Sequence, residues 1–136
     1  MGLFDFMKKK AIVLGSPAEG ECVPLSQVND PTFSGEILGK GVAIIPSKGT
    51  ICAPADGEVG TVFPTGHAVA LTTPEGAEVL IHIGLDTVKL EGRHFQIRAQ
   101  AGQKVKKGDV LIEADLDAIK AAGYACFSPM LICITT

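Results

Sequence analysis

The chain has 136 residues, 46% of them apolar, with no tryptophan, one tyrosine, and 12 basic against 15 acidic residues for a formal net charge of −3. That length suits a single domain with a core built from Val, Ile, Leu and Ala. No basic stripe with interleaved aromatics occurs, which argues against a nucleic-acid partner, and no apolar run approaches the ~20 residues of a membrane-spanning helix.

The first ten residues, MGLFDFMKKK, form a basic amphipathic segment distinct from a single domain over 11–136. The segment is too short and too early charged for a secretory signal. As a helix it sets Leu3, Phe6 and Met7 on one side, fit for an anionic membrane surface. The alternative is an unstructured terminus with a solvated lysine run. Cys22, Cys52, Cys126 and Cys133 are widely spaced without a C-x-x-C pair. They read as reduced, mostly buried thiols of a cytosolic protein, not as a metal site.

Short apolar strands follow, cut by Gly and Pro every few residues: Ala11–Leu14, a weakly patterned 21–28, a turn at Asn29-Asp30-Pro31, then Val42–Ile45, Ile51–Ala53 and Glu58–Phe63. His67–Leu71 and Val79–Ile83 flank the turn Thr73-Pro74-Glu75-Gly76. His94–Ala99, Val110–Ala114 and Tyr124–Thr135 are further strands, the last interrupted at Ser128-Pro129. Leu116–Ala122 is the one clear helix, with Asp115 as N-cap and Gly123 closing it. Many short strands at close spacing predict an all-β, antiparallel sandwich or barrel with one or two short helices.

All three histidines, His67, His82 and His94, fall between Phe63 and Phe95. Pro74 and Gly76, at the second and fourth turn positions, suit a type I turn, and a four-residue loop on that turn pairs Thr72 with Ala77. His67 then lies directly across from His82, their Cβ atoms about 4.5–5.5 Å apart, with Thr65 on the same face. A three-residue loop shifts the register by one and sends the two rings to opposite faces.

Three chemistries compete for such a pair. His82 would act as a nucleophile toward a phosphoryl group, because neutral imidazole is available near pH 7. His67 would donate a hydrogen bond to the phosphoryl oxygens, Thr65 would fix the His67 tautomer, and Asp86 would sit at the rim. No phosphate-cradling glycine loop occurs, so the donor would be another phosphoprotein and not ATP. Alternatively His67, His82, Asp86 and His94 would hold zinc. His82 and Asp86 have the H-x-x-x-D spacing of lysostaphin-like metallopeptidases, but the H-x-H that those enzymes need is missing. In the third reading the histidines are structural, and His94, in a loop beside Arg93, fits that reading best.

The stretch IHIGLDTVKLEGRHF resembles the active-site signature of glucose-type IIA domains of the bacterial phosphoenolpyruvate-dependent sugar phosphotransferase system. The matching positions are His82, Ile83-Gly84-Leu85-Asp86-Thr87-Val88, Leu90, Gly92 and Phe95. TGHA resembles the family's segment around its second histidine, and similarity extends from about Glu21 to the end. The resemblance implies a β-sandwich of the duplicated-hybrid-motif type and a phosphotransferase component of sugar transport. It implies that His82 accepts phosphate from HPr and passes it to a IIB domain of a sugar permease, assisted by His67 and Thr65. An apolar apron of Phe33, Ile37, Leu38, Phe63, Leu80 and Val88, edged by Asp30 and Asp86, would receive both partners. No cofactor would be required, with zinc at His67 and His82 only adventitious. The location would be cytoplasmic, and residues 1–10 would touch the inner membrane surface.

Overall fold

In the computed structural model, residues 13–133 are described. The expected membrane-contact segment 1–10 and the start of the strand expected at Ala11 lie outside them.

Most apolar stretches become strands, each stopped by the Gly- and Pro-rich segments between them. In chain order they are β1 (Gly20–Pro24), the single-turn helix α1 (Pro31–Ser34), β2 (Lys40–Pro46), β3 (Thr50–Cys52), β4 (Gly57–Val62), β5 (Ala68–Thr72) and β6 (Glu78–His82). Then come β7 (Phe95–Ile97), β8 (Lys104–Val105), β9 (Val110–Ala114), α2 (Leu116–Ala121) and β10 (Ser128–Cys133). Seven strands form one antiparallel sheet in the order β1-β2-β10-β6-β5-β4-β8, and three form a second, β3-β9-β7. The two sheets make an open sandwich and not a closed barrel.

The large sheet is apolar on both faces. Ile44, Val69, Leu71, Val79, Ile81 and Met130 pack toward Ile51, Leu111 and Ile112 of the smaller sheet in the main core. Ala43 and Leu131 point the other way, with Leu80 packed beside them, into a second cluster of Val23, Leu25, Val28, Phe33 and Leu85. Burial on both sides explains why these strands read as apolar runs with only partial alternation. Leu80 and His82 share the second face by period two, so the histidine lies on the side away from the main core.

Several sequence expectations are corrected. Val13 and Leu14 are not in a strand, and the first strand among the described residues begins at Gly20. The expected turn at Asp30 opens α1, whose first turn Asp30 caps through a carboxylate accepting from Thr32 N–H at 3.0 Å. Ser128-Pro129 begins β10 and does not interrupt it. Pro129 precedes Met130, the first residue paired with β6, so its missing N–H falls at a strand end. Cys22 is exposed, Cys52 half-buried and Cys126 buried, and all three are free thiols. The helix expectation holds closely: Asp115 accepts from Ala118 N–H at 3.1 Å and α2 stops before Gly123, at φ 95°.

The register of the β5–β6 hairpin also differs from expectation. Thr73 N–H donates to the Ala77 carbonyl and Gly76 N–H to the Thr73 carbonyl, both at 2.9 Å, which leaves a three-residue loop, Pro74–Gly76. Gly76, at φ 89°, supplies the left-handed residue that follows the type I turn in such loops. Thr72 therefore pairs with Glu78, and Ala68, not His67, lies opposite His82.

Candidate functional site

The two imidazoles meet in spite of that register. Their ring centroids are 5.0 Å apart and their planes cross at 75°. His67 escapes strand alternation because it belongs to the β4–β5 turn, not to β5. Phe63 N–H donates to the Ala68 carbonyl at 3.1 Å and Gly66 N–H to the Phe63 carbonyl at 2.7 Å, and Gly66 sits at φ 71°. The chain reverses before His67, so the period-two rule does not govern its ring. The His67 carbonyl accepts from Ile83 N–H at 2.7 Å, which fastens this turn to the end of β6.

His82 is the last residue of β6, and its Nδ1 lies 2.7 Å from the Gly84 carbonyl. A carbonyl only accepts, so Nδ1 carries the proton and the neutral ring keeps its lone pair at Nε2. Gly84 reaches back because it adopts φ 75°, open to glycine without strain. A Cβ there would lie 2.6 Å from Thr87 Cγ2 and 2.9 Å from the Ala125 carbonyl oxygen.

His67 is buried, at 6% exposure, and its Nδ1 is hydrogen-bonded to the Thr65 hydroxyl. With the hydroxyl donating, the His67 proton resides on Nε2, free to donate toward a group held on the partner ring. Phe63 packs on His67 edge-on with centroids 5.3 Å apart, and Phe33 tilts over His82 at 5.0 Å.

Burial lowers the pKa of both imidazoles. For His82, desolvation outweighs the upward pull of the Gly84 carbonyl and of the Asp30 and Asp86 carboxylates. For His67, burial acts together with repulsion from a charged His82. Both rings are thus biased toward the neutral form, the one with a nucleophilic nitrogen.

The expected apron divides by exposure. Ile37 (74%), Val88 (49%) and Leu38 (45%) are exposed, Phe63 and Leu80 are half-buried, and Asp86 is exposed at the rim. Phe33 corrects the expectation: at 4% exposure it is a wall of the His82 site and offers almost no docking surface. Asp30 is half-buried and already engaged as the cap of α1. His94 is an exposed loop residue at φ 75°, and among the described residues no three His, Cys, Asp or Glu side chains converge on a point that would hold a metal. Catalytic zinc needs three protein ligands, so the described residues give the hydrolase alternative no support. Sequence reasoning missed the Gly84 carbonyl, whose signal was a glycine two residues after the histidine, in reach of its Nδ1.

Fold and site together define a β-sandwich protein with a paired-imidazole centre. The family described as phosphoenolpyruvate-dependent sugar phosphotransferase system, EIIA 1, matches residues 12–136. The chain is 48% identical over 120 residues, 88% of its length, to a PTS system beta-glucoside-specific EIIBCA component of Bacillus subtilis. It is 52% identical over 108 residues, 79% of its length, to a PTS system glucose-specific EIICBA component of Streptococcus pneumoniae. It spans only 20% and 15% of those two proteins. Among solved structures, the glucose permease IIA from Mycoplasma capricolum superimposes with a TM-score of 0.86 at 36% identity, covering 97% of this chain and 83% of that one. This chain belongs to the EIIA family of the phosphoenolpyruvate-dependent sugar phosphotransferase system, a phosphotransferase component that carries phosphoryl groups. Among the described residues no helix is long and apolar enough to cross a membrane.

Proposed function

We propose that His82 is the phosphoryl-accepting residue, that HPr is its donor, and that the IIB domain of a sugar permease is its acceptor. The observation that carries this reading is the His82 ring itself: Nδ1–H is tied to the Gly84 carbonyl, leaving Nε2 free beside a second imidazole. In the first transfer the Nε2 lone pair forms a bond to phosphorus. The bond from phosphorus to the donor nitrogen breaks, and its electron pair returns to that nitrogen. The phosphorylated ring then carries positive charge, which strengthens the Nδ1–H bond to Gly84. Catalysis of such a loose transfer is mainly positioning and charge stabilisation. His67, with its proton held at Nε2 by Thr65, donates to the phosphoryl oxygens.

Both partners dock on the apolar rim of Ile37, Leu38 and Val88, with Phe63 and Leu80 nearer the rings and Asp86 at the edge. Exclusion of water there protects the labile nitrogen–phosphorus bond from hydrolysis. The domain works in the cytoplasm, with residues 1–10 touching the membrane surface, and needs no cofactor; zinc bound by the two histidines would be adventitious.

The test incubates the protein with enzyme I, HPr and phosphoenolpyruvate and maps the acid-labile phosphate. It is expected on His82, and normal phosphorylation of His82→Ala would overturn the reading. His67→Ala is expected to accept phosphate yet donate to a IIB domain about 100-fold more slowly; unimpaired donation removes His67 from the mechanism.

A further inference from the structure

Thr87 stands four residues beyond His82's neighbour Ile83, fully buried, and its hydroxyl donates to the Ile83 carbonyl at 2.5 Å. Ile83 N–H donates to the His67 carbonyl, and the next carbonyl, Gly84, accepts from His82 Nδ1–H. The 83–87 loop has no strand partner to hold it, and Asp86 within it is left-handed at φ 59°. Besides the Thr87 hydroxyl, Leu85 N–H donates to the Ala125 carbonyl at 3.1 Å. The Thr87 methyl lies close over the α-carbon of Gly84, where a Cβ would come within 2.6 Å of it.

We propose that Thr87 is a positioning residue: its hydroxyl, by holding the Ile83 carbonyl, keeps the Gly84 carbonyl on His82 Nδ1 and so selects Nε2 as the reactive nitrogen. Without that hydroxyl the buried Ile83 carbonyl loses its side-chain partner and the loop turns to find another. The Gly84 carbonyl then leaves Nδ1, and the ring is free to carry its proton on either nitrogen. The assignment of Nε2 as the transferring atom rests on the carrier reading above. The tautomer does not, because it is a property of the unphosphorylated protein.

Three variants separate hydroxyl from packing. Thr87→Val keeps the shape and removes the hydroxyl, Thr87→Ser does the reverse, and Thr87→Ala removes both. Nitrogen-15 NMR of the imidazole reads the His82 tautomer directly, in the unphosphorylated full chain above the histidine titration range. The wild type and Thr87→Ser are expected to show a single Nδ1–H tautomer, and Thr87→Val and Thr87→Ala a mixture. Phosphorylation by HPr should slow about tenfold in Val and Ala, the low end of the loss that follows when the partner orienting a metal-ligating imidazole is removed. Serine should restore the rate. If Thr87→Val keeps the single tautomer and the wild-type rate, the proposal is wrong. Should Thr87→Val fail to fold, equal mixing in Ser and Ala refutes the proposal, and a clean tautomer in Ser with mixing in Ala supports it. A wild-type protein that takes no phosphate on His82 would sink the carrier reading, while the tautomer comparison would still decide the role of Thr87.

Discussion

Gly84→Ala is the substitution whose consequences the structure dictates most fully. The backbone at φ 75° costs an alanine about 1–2 kcal/mol relative to glycine. Its Cβ would lie 2.6 Å from Thr87 Cγ2 and 2.9 Å from the Ala125 carbonyl oxygen. Thr87 is fully buried and the Ala125 carbonyl is bonded to Leu85 N–H, so neither can retreat freely. Relief of such overpacking costs about 1–3 kcal/mol. Together these destabilise the domain by roughly 2–5 kcal/mol, a fall in Tm on the order of 6–20 °C for a domain of this size. The shift also draws the Gly84 carbonyl away from its 2.7 Å contact with His82 Nδ1, so phosphoryl acceptance should fall in molecules that remain folded. Thermal melts by circular dichroism measure the first effect, and HPr-dependent phosphorylation well below the melting range measures the second. A variant within about 0.5 kcal/mol of wild type, with normal phosphorylation, would refute the claim that this loop is closed around the glycine.

Other outcomes follow from the same site. Because burial holds the His82 pKa down, its nucleophilic form should persist below the ordinary histidine midpoint of about 6.5; a pH–rate profile for phosphoryl acceptance that halves at or above that value contradicts it. The same lowering at both histidines has a stability consequence. Below about pH 6.5 the unfolded chain binds more protons than the folded one, so stability is complete above that pH and declines as pH falls toward the lowered folded values. Denaturant midpoints across that window should fall with acid, and less so in His67→Gln. Phe33→Ala should destabilise the protein by about 3 kcal/mol and move the His82 midpoint upward as water reaches the ring, both readable by denaturant titration and NMR. Asp115→Ala, remote from the site, should cost about 1 kcal/mol through the lost cap of α2 and leave phosphorylation unchanged.

The sequence made the strands and the pairing of the histidines legible for different reasons. Val110–Ala114 and α2 carry local signals, a bounded apolar run and a capped, glycine-stopped helix, and both appear nearly where expected. The hairpin turn was recognised by its chemistry, but its loop length was not. Whether Ala77 joins the loop or closes it depends on one hydrogen bond with Thr73, and residue types do not encode that choice. The expected juxtaposition survived the wrong register because His67 stands on a turn, where alternation has no force. What stayed hidden was long-range. Phe33 reaches His82 across 49 positions of sequence, through an α1 that is too short to have a periodic signature. The 2.7 Å bond between Nδ1 and the Gly84 carbonyl depends on a φ angle that glycine permits but does not compel.

The strand order carries a consequence for how the site comes into being. β2 and β6 never pair with each other; β10 lies between them and bonds to both. While the chain emerges from the ribosome, β6 therefore waits with one edge bare until residues 128–133 are made, some fifty positions after His82. During that interval His82 sits at the end of an unsatisfied apolar strand, the condition that favours mispairing with other chains. β10, the last of the described strands in chain order, is the keystone, so the site is completed only after it is made. A nascent chain lacking β10 should neither hold phosphate nor resist proteolysis.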